Sequence, residues 1–320
     1  MNNIRPIDAD ECAKRLLSLS SPIILTHRSP DGDTIGTGTA LVLALRSLGK
    51  NARLLCPDKI PKRLEFLLDG IEILDEPSGD EFVAVDIASR TMLGRLSEIE
   101  ATMIIDHHSS ASPFADYYTL PDISSAGEVL YLVLCELEKI SDFKITPEIA
   151  YRIYAAISSD TGGFIYSSVS PRTLRIAAEL IEYGIDFSDI NHRLFNSKSS
   201  EQLKAEGYVA SNIKTELQGK VAYATLTIIE REAMGLISSD FETAVDVVRQ
   251  VLGVEVAVFL REVEDKKYRV NLRSTGRNVA SVARALGGGG HERAAGCSVS
   301  AENPTDAWQI VFSEIKKLFI

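Results

Sequence analysis

"SPIILTHRSPDGDTIGTGTALVLALRSLG" (residues 21–49) sets an apolar run, a polar loop and a helical pattern end to end. The run "SPIILT" (21–26) reads as a strand buried on both faces, because its apolar positions are continuous rather than alternating. The helix is centred on "GTALVLALRSLG", with Gly49 placed to cap it in left-handed backbone. Between the two lie His27, Asp31 and Asp33. Polar density of that kind beside a core strand is costly unless the groups are paired or bind something.

The same unit recurs along the chain. "ARLLCP" (52–57), "EFVAVD" (81–86) and "TMIID" (102–106) are further strands. Helical patterns run through "SAGEVLYLVLCELEKI" (125–140), "TPEIAYRIYAAI" (146–157) and "PRTLRIAAELIEYG" (171–184). Strands alternating with helices predict an α/β fold with a doubly wound, mostly parallel sheet over residues 1–190. Residues 186–217 are polar and helix-prone with no strand pattern, so 191–215 is expected to be a helical connector. A smaller α/β domain follows over 216–320. Its strands are expected at 220–228, 254–263 and 268–274, its helices at 239–252, 278–286 and 304–318.

Composition narrows the class. A chain of 320 residues exceeds one small core, which favours two domains. No apolar run reaches membrane-span length and the first residues carry no signal-like segment, so a cytoplasmic, membrane-free protein is expected. Cys12, Cys56, Cys135 and Cys297 are far apart and form no C-x-x-C pair, which argues against zinc fingers and against a disulfide framework. Acidic residues outnumber basic ones 45 to 34, for a net charge of −11. A grip on long nucleic acid would call for the opposite sign.

Three strands of the first half end in acid or imidazole. "THRSPDGD" follows "IIL", "VD" closes "FVAVD", and "DHH" follows "TMII". Ligands of open parallel sheets bind outside the carboxyl ends of the strands. His27, Asp31, Asp33, Asp86, Asp106, His107 and His108 are therefore expected at one rim. "SSDTGGF" (158–164) ends a helix and adds Asp160. Carboxylates gathered so closely repel one another unless protons or cations intervene. Mixed carboxylate and imidazole donors suit Mn²⁺, Fe²⁺ and similar ions, and there are enough of them for two metals.

Each motif alone has a plainer reading. Asp31-Gly32-Asp33 fits ordinary turn chemistry, and Asp86 fits a helix cap. His107-His108 fits one core and one exposed histidine. A calcium loop fails, since Asp31 at position 1 puts Ile35 at position 5 and Val42 where a bidentate glutamate belongs. Their coincidence at strand ends favours one pocket. Ser158 and Ser159 have no histidine base nearby in sequence, so packing or capping is expected of them rather than nucleophilic attack.

In this order, and followed by "GGGGHERAAG" (287–296), the motifs resemble the DHH phosphoesterase superfamily with its DHH-associated C-terminal domain, over essentially the whole chain. The layout is similar to its oligoribonuclease (nanoRNase) and 3′-phosphoadenosine-5′-phosphate (pAp) phosphatase members, with the exonuclease RecJ a larger relative. The resemblance implies an active site in an interdomain cleft. It puts His27 and Asp31 on one metal, Asp33, His107 and Asp160 on the other, and Asp86 on both. His108 would lie beside the substrate phosphate and Asp106 would orient its neighbours. The cofactors implied are two divalent ions, Mn²⁺ first, with Mg²⁺, Co²⁺ or Fe²⁺ as alternatives, and the step is in-line attack by a hydroxide bridging them. Pairing into a homodimer through the first domain is also implied. One departure stands in "VDIASRTMLGRL" (85–96), where the family pattern wants an arginine about two positions after Arg90, so the role of Arg90 is open.

The four glycines at 287–290 strip side chains from a loop, so that backbone N–H groups can approach an anion. Gly288, Gly289, Gly290, His291 and Arg273 are thus candidates to contact a terminal phosphate or ribose. His192 is expected to be structural or exposed. Without an aromatic-plus-basic stripe, a short single-stranded RNA or DNA or a nucleotide bisphosphate fits better than a long strand or duplex. A pyrophosphatase or short-chain polyphosphatase on the same metals, or a non-catalytic nucleotide sensor, are the alternative readings.

Overall fold

The computed structural model describes residues 4–79, 81–108, 111–120, 122–290 and 292–320, so His291 lies outside the described residues. The chain divides into two units between Ser197 and Lys198. The first contains α1 (Ala9–Ser18), β1 (Ile23–Leu25), α2 (Gly32–Ser47), β2 (Arg53–Leu55), β3 (Ile73–Leu74), β4 (Phe82–Val85), β5 (Met103–Ile105) and β6 (Tyr117–Tyr118). It ends with α3 (Ala126–Ile140), α4 (Pro147–Asp160), α5 (Pro171–Glu182) and α6 (Phe187–Asn191).

The strands lie in the order β3-β2-β1-β4-β5-β6, and every ladder is parallel. The chain runs outward from β1 to β3, then returns to place β4 on the other side of β1. This reversal is the switch point at which such sheets bind ligands, and it falls between the strands that precede His27 and Asp86. Strand residues alternate between two cores. Ile24, Leu54, Val83, Val85, Met103 and Ile105 pack with the helices, whereas Ile23, Leu25, Leu55, Phe82 and Ile104 join a smaller cluster with Leu93 and Leu96. The second face is thus covered by the 3₁₀ segment Arg90–Leu96 rather than by an α-helix. Gly94, at φ 55, breaks that crossover before a helix can extend.

Two close approaches gather the helix ends. A Cβ on Gly36 would stand 2.7 Å from the Arg152 carbonyl oxygen, and one on Gly127 would stand 2.6 Å from the Ala156 Cβ. Side chains there would force α2 and α3 away from α4. With glycine, the starts of α2 and α3 and the end of α4 meet beside the sheet.

The second unit contains α7 (Ser200–Ser211), β7 (Lys214–Glu216), β8 (Val221–Leu226), α8 (Ile228–Ala233), α9 (Ala244–Arg249), β9 (Val256–Glu264) and β10 (Lys267–Ser274). It closes with α10 (Val279–Ala285), β11 (Gly289–Gly290), β12 (Ala294–Ser300) and α11 (Pro304–Lys316). Its sheet runs β11-β12-β10-β9-β8-β7 and is antiparallel except between β8 and β9. The helix expected within 191–215 exists as α7, but Ala205 and Val209 bury it in a core of the second unit with Phe241, Val248 and Phe259. The edge strand β7 escaped the pattern because Lys214 and Thr215 are exposed. The helix expected at 239–252 is split into a 3₁₀ turn, Ser238–Phe241, and α9. Among the described residues no helix is long and apolar enough to cross a membrane. All four cysteines are free thiols.

Candidate metal centre

The strand-end residues of the first unit meet in one pocket. His27 Nε2 lies 3.3 Å from Asp86 Oδ2 and 3.6 Å from Asp31 Oδ1. His107 Nε2 lies 3.3 Å from Asp86 Oδ1, 3.6 Å from Asp160 Oδ2 and 3.8 Å from Asp33 Oδ2. Ligand atoms of His27, Asp31 and Asp86 fall within 4.8 Å of one another, as do those of Asp33, His107 and Asp160 and those of Asp86, His107 and His108. Asp86 thus faces both imidazoles, one with each carboxylate oxygen.

Local structure fixes each donor. The Nδ1–H of His27 donates to the Arg28 carbonyl at 2.8 Å, which leaves Nε2 as the nitrogen turned toward the aspartates. Asp31 is the N-cap of α2 and accepts from the amides of Asp33 and Thr34, so its role in the turn goes together with a carboxylate that faces His27. Asp33 is buried and accepts from the amides of Ala126 (2.7 Å) and Gly127 (3.0 Å) and from Thr37 Oγ1 (3.1 Å). Those amides are the free N-terminus of α3, whose positive end suits a carboxylate. His108 Nδ1 lies 2.8 Å from Asp106 Oδ1. Asp160 and Asp31 form the solvent-facing side of the pocket, their side chains 34% and 46% exposed, whereas the Asp86 side chain is 4% exposed.

Strain and unmet bonding mark the centre. Among the described residues Asp86 caps no helix, and it holds φ 58, a left-handed conformation that costs a non-glycine residue on the order of 1–3 kcal/mol. Its Oδ1 and the Oδ2 of Asp106 are buried without a hydrogen-bond partner among the described residues. Buried oxygens of that kind are normally satisfied, so an orphaned Asp86 Oδ1 among groups able to hold a metal fits a cation.

Electrostatics point the same way. Burial alone would discharge His27, yet Asp31 and Asp86 raise its pKa to about 11. Burial opposes the charge of His107 too, and Asp86, Asp33 and Asp160 overcome it, to about 10. Burial raises Asp160 to about 6, with Asp86 and Asp31 adding to the shift against the pull of His107. Burial, then the charges of Asp86 and Asp160, also push Asp33 upward. Asp86 is held down instead, because the imidazoles of His107 and His27 that face it outweigh its burial. A divalent cation relieves the same repulsion without protons.

Other expected residues lie elsewhere or have structural partners. Ser158 is buried and bonds Asn191 at 2.6 Å, while Ser159 fills the space that a Cβ on Gly32 would need. Arg90 bonds the carbonyls of Ser97 and Ile99, pairs with Glu100 and lies over the Phe114 ring, a structural role that answers the question left open. His192 is exposed. In the second unit, Arg273 sits on β10 opposite Ala294 of β12, and its Nε lies 3.6 Å from Asp246. The glycine stretch is a short hairpin rather than an open loop, with Gly289 and Gly290 pairing with Gly296 and Ala295. The amides of Gly287 and Gly288 donate to the carbonyls of Arg284 and Ala283 at the end of α10. A Cβ on Gly288 would meet the Gly296 carbonyl at 2.2 Å, which is sufficient reason for glycine there. The α3 amides that hold Asp33 were not anticipated, although Ser125 and Glu128 of "SAGE" spell a helix start.

A parallel sheet that collects carboxylates and imidazoles at its switch point, joined to a second α/β unit, defines a class. The model of the DHH family N-terminal domain matches residues 22–157, and that of the DHHA1 domain matches residues 208–317. The chain belongs to the DHH family of phosphoesterases. Among curated proteins it is 30% identical to the bifunctional oligoribonuclease and PAP phosphatase NrnA of Thermus thermophilus, covering 95% of this chain and 92% of that protein. It is 29% identical to the protein of the same name from Bacillus subtilis, over 91% and 94% of the two chains. Among solved structures, an exopolyphosphatase-related protein from Bacteroides fragilis superposes with a TM-score of 0.88 at 27% identity, covering 97% of this chain and 95% of that one.

Proposed function

We propose that the protein is a divalent-metal-dependent phosphoesterase that hydrolyses short oligonucleotides and nucleotide 3′,5′-bisphosphates such as pAp. The observation that carries this reading is Asp86, strained and buried, with one oxygen toward each of two ligand groups. The relatives named above support the substrate class. His27, Asp31 and Asp86 would hold one cation, and Asp33, His107, Asp160 and Asp86 the other, with Mn²⁺ the ion we favour for this mixed donor set. Bound there, the metals would acidify a water and neutralise phosphoryl oxygens.

The chain's own residues do the rest. The α3 amides hold the Asp33 carboxylate in place, and the Arg28 carbonyl sets the His27 tautomer. Asp106 orients His108, which we assign to the substrate phosphate. Replacing Asp106 with Asn keeps the shape but weakens that hold, so kcat should fall about 10- to 100-fold at saturating Mn²⁺ with the melting temperature little changed. Unchanged kinetics would remove Asp106 from the site.

Arg273, Gly288, Gly289, Gly290 and His291 of the second unit are proposed as substrate-binding residues. The charge of −11 argues against long duplexes, and a homodimer and a cytoplasmic location go with the same reading. Purified protein with Mn²⁺ should release mononucleotides from pApA and pGpG and phosphate from pAp, and should slow on longer RNA. The Bacteroides fragilis likeness favours one second reading, a polyphosphatase. Faster turnover of pyrophosphate or short polyphosphate than of pAp would establish it instead.

A further inference from the structure

Immediately after Asp160 the chain makes a tight turn that spends apolar surface on solvent. The amide of Gly162 bonds the Ser159 carbonyl and that of Gly163 the Ser158 carbonyl, at 3.2 and 2.8 Å. Ile165 and Tyr166 both donate to the Thr161 carbonyl at 3.0 Å, while buried Thr161 Oγ1 donates to Ile157 and accepts from the Phe164 amide. Phe164 takes φ 67, in the left-handed region, and turns its ring onto Tyr154 at 5.6 Å between centroids. That anchor leaves Ile165 82% and Tyr166 45% exposed. Such bonding makes the turn a rigid presentation of apolar groups, not a loose loop.

Two rings lie on the Gly-Gly pair. A Cβ on Gly162 would stand 2.4 Å from Tyr166 Cζ, and one on Gly163 would stand 3.4 Å from the Phe195 ring. Phe195, 37% exposed, belongs to the π-turn His192–Asn196, a rare geometry often found at functional sites. Its neighbour Leu194 comes within 3.4 Å of the Cβ position of Gly32, the residue between Asp31 and Asp33. The turn and the rings therefore flank the rim of the pocket.

We propose that Tyr166 and Phe195, laid on the Gly162-Gly163 turn beside Asp160, form a platform on which the nucleobase of the substrate stacks. The inference rests on the phosphoesterase reading for where the phosphate goes and names what lies next to it. A phosphate on the metals leaves its base within a nucleotide's length, and an aromatic face accepts any base without adding charge to an acidic pocket. A platform of two rings holds one base, which agrees with short substrates and with the lack of an aromatic stripe. Inorganic polyphosphate has nothing to place there.

The test uses Phe195→Ala, Tyr166→Ala and the conservative Phe195→Tyr in the full chain, with pAp and with the same sugar bisphosphate lacking a base. Each alanine variant should raise KM for pAp about 10-fold or more, change kcat little, and leave the abasic compound unaffected, while Phe195→Tyr keeps the wild-type KM. The bisphosphate of 2-aminopurine, whose fluorescence falls on stacking, should be quenched by the wild type and not by the alanine variants. An unchanged KM, an equal loss on both substrates, or a dimer that becomes monomeric in light scattering with Phe195→Ala would overturn the proposal. If the wild type hydrolyses nothing yet quenches the probe, the platform stands and the phosphoesterase reading fails. Absence of both turnover and quenching removes both.

Discussion

Asp86→Asn is expected to lower kcat on pAp by about 10³-fold or more, since a bridging ligand underlies several kcal/mol of metal catalysis. Asparagine is the suitable replacement. It tolerates left-handed backbone, so φ 58 is kept and the fold with it. It keeps one acceptor oxygen but removes the charge and the second one, so a single side chain no longer serves both ligand groups. Neighbouring Asp31 and Asp160 stay available, and some metal binding should survive at high Mn²⁺. The check is steady-state kinetics over a Mn²⁺ titration, with thermal melts to show that the variant is folded. Wild-type turnover in Asp86→Asn would refute the assignment of Asp86.

Mn²⁺ should raise the melting temperature, and by more as pH rises. His27 and His107 are held at about 11 and 10 against a reference of 6.5. Groups raised in the folded state stabilise it fully below pH 6.5, and that contribution is lost as pH climbs toward the folded values. The protein in EDTA should therefore melt at lower temperature at pH 8.5 than at pH 6.5. A cation replaces those protons, so its apparent affinity rises over the same window. At an ion concentration near 1,000 times its Kd, each site adds about 4 kcal/mol, or some 8 °C or more for a unit of this size. Scanning fluorimetry at pH 6.5, 7.5 and 8.5, with EDTA or Mn²⁺, measures both trends. A shift that is absent, or equal at every pH, contradicts them.

Much of the first unit was legible because burial wrote it in continuous apolar runs. β1, β4 and β5 fall inside the runs 21–26, 81–86 and 102–106, and their ends carry the acids and imidazoles that meet in the pocket. What stayed hidden has physical causes. β3 and β6 are two-residue edge strands, too short to show a period. β7 is polar because an edge facing water needs no apolar face. The cover of the second face is a 3₁₀ segment because Gly94 breaks the helical period. Glycines carry an ambiguous signal. At 287–290 they suggested an anion cradle, yet the approach of Gly288 to β12 and the closing of α10 account for much of that stretch. At 36 and 127 the same residue type, unremarked in sequence, is what brings α2, α3 and α4 together.

Crystals grown with Mn²⁺ and measured at the manganese absorption edge test the central claim most directly. Two anomalous peaks are expected, one among His27, Asp31 and Asp86 and the other among Asp33, His107, Asp160 and Asp86. No peak in that pocket at millimolar Mn²⁺, or ions bound only at other residues, would contradict it.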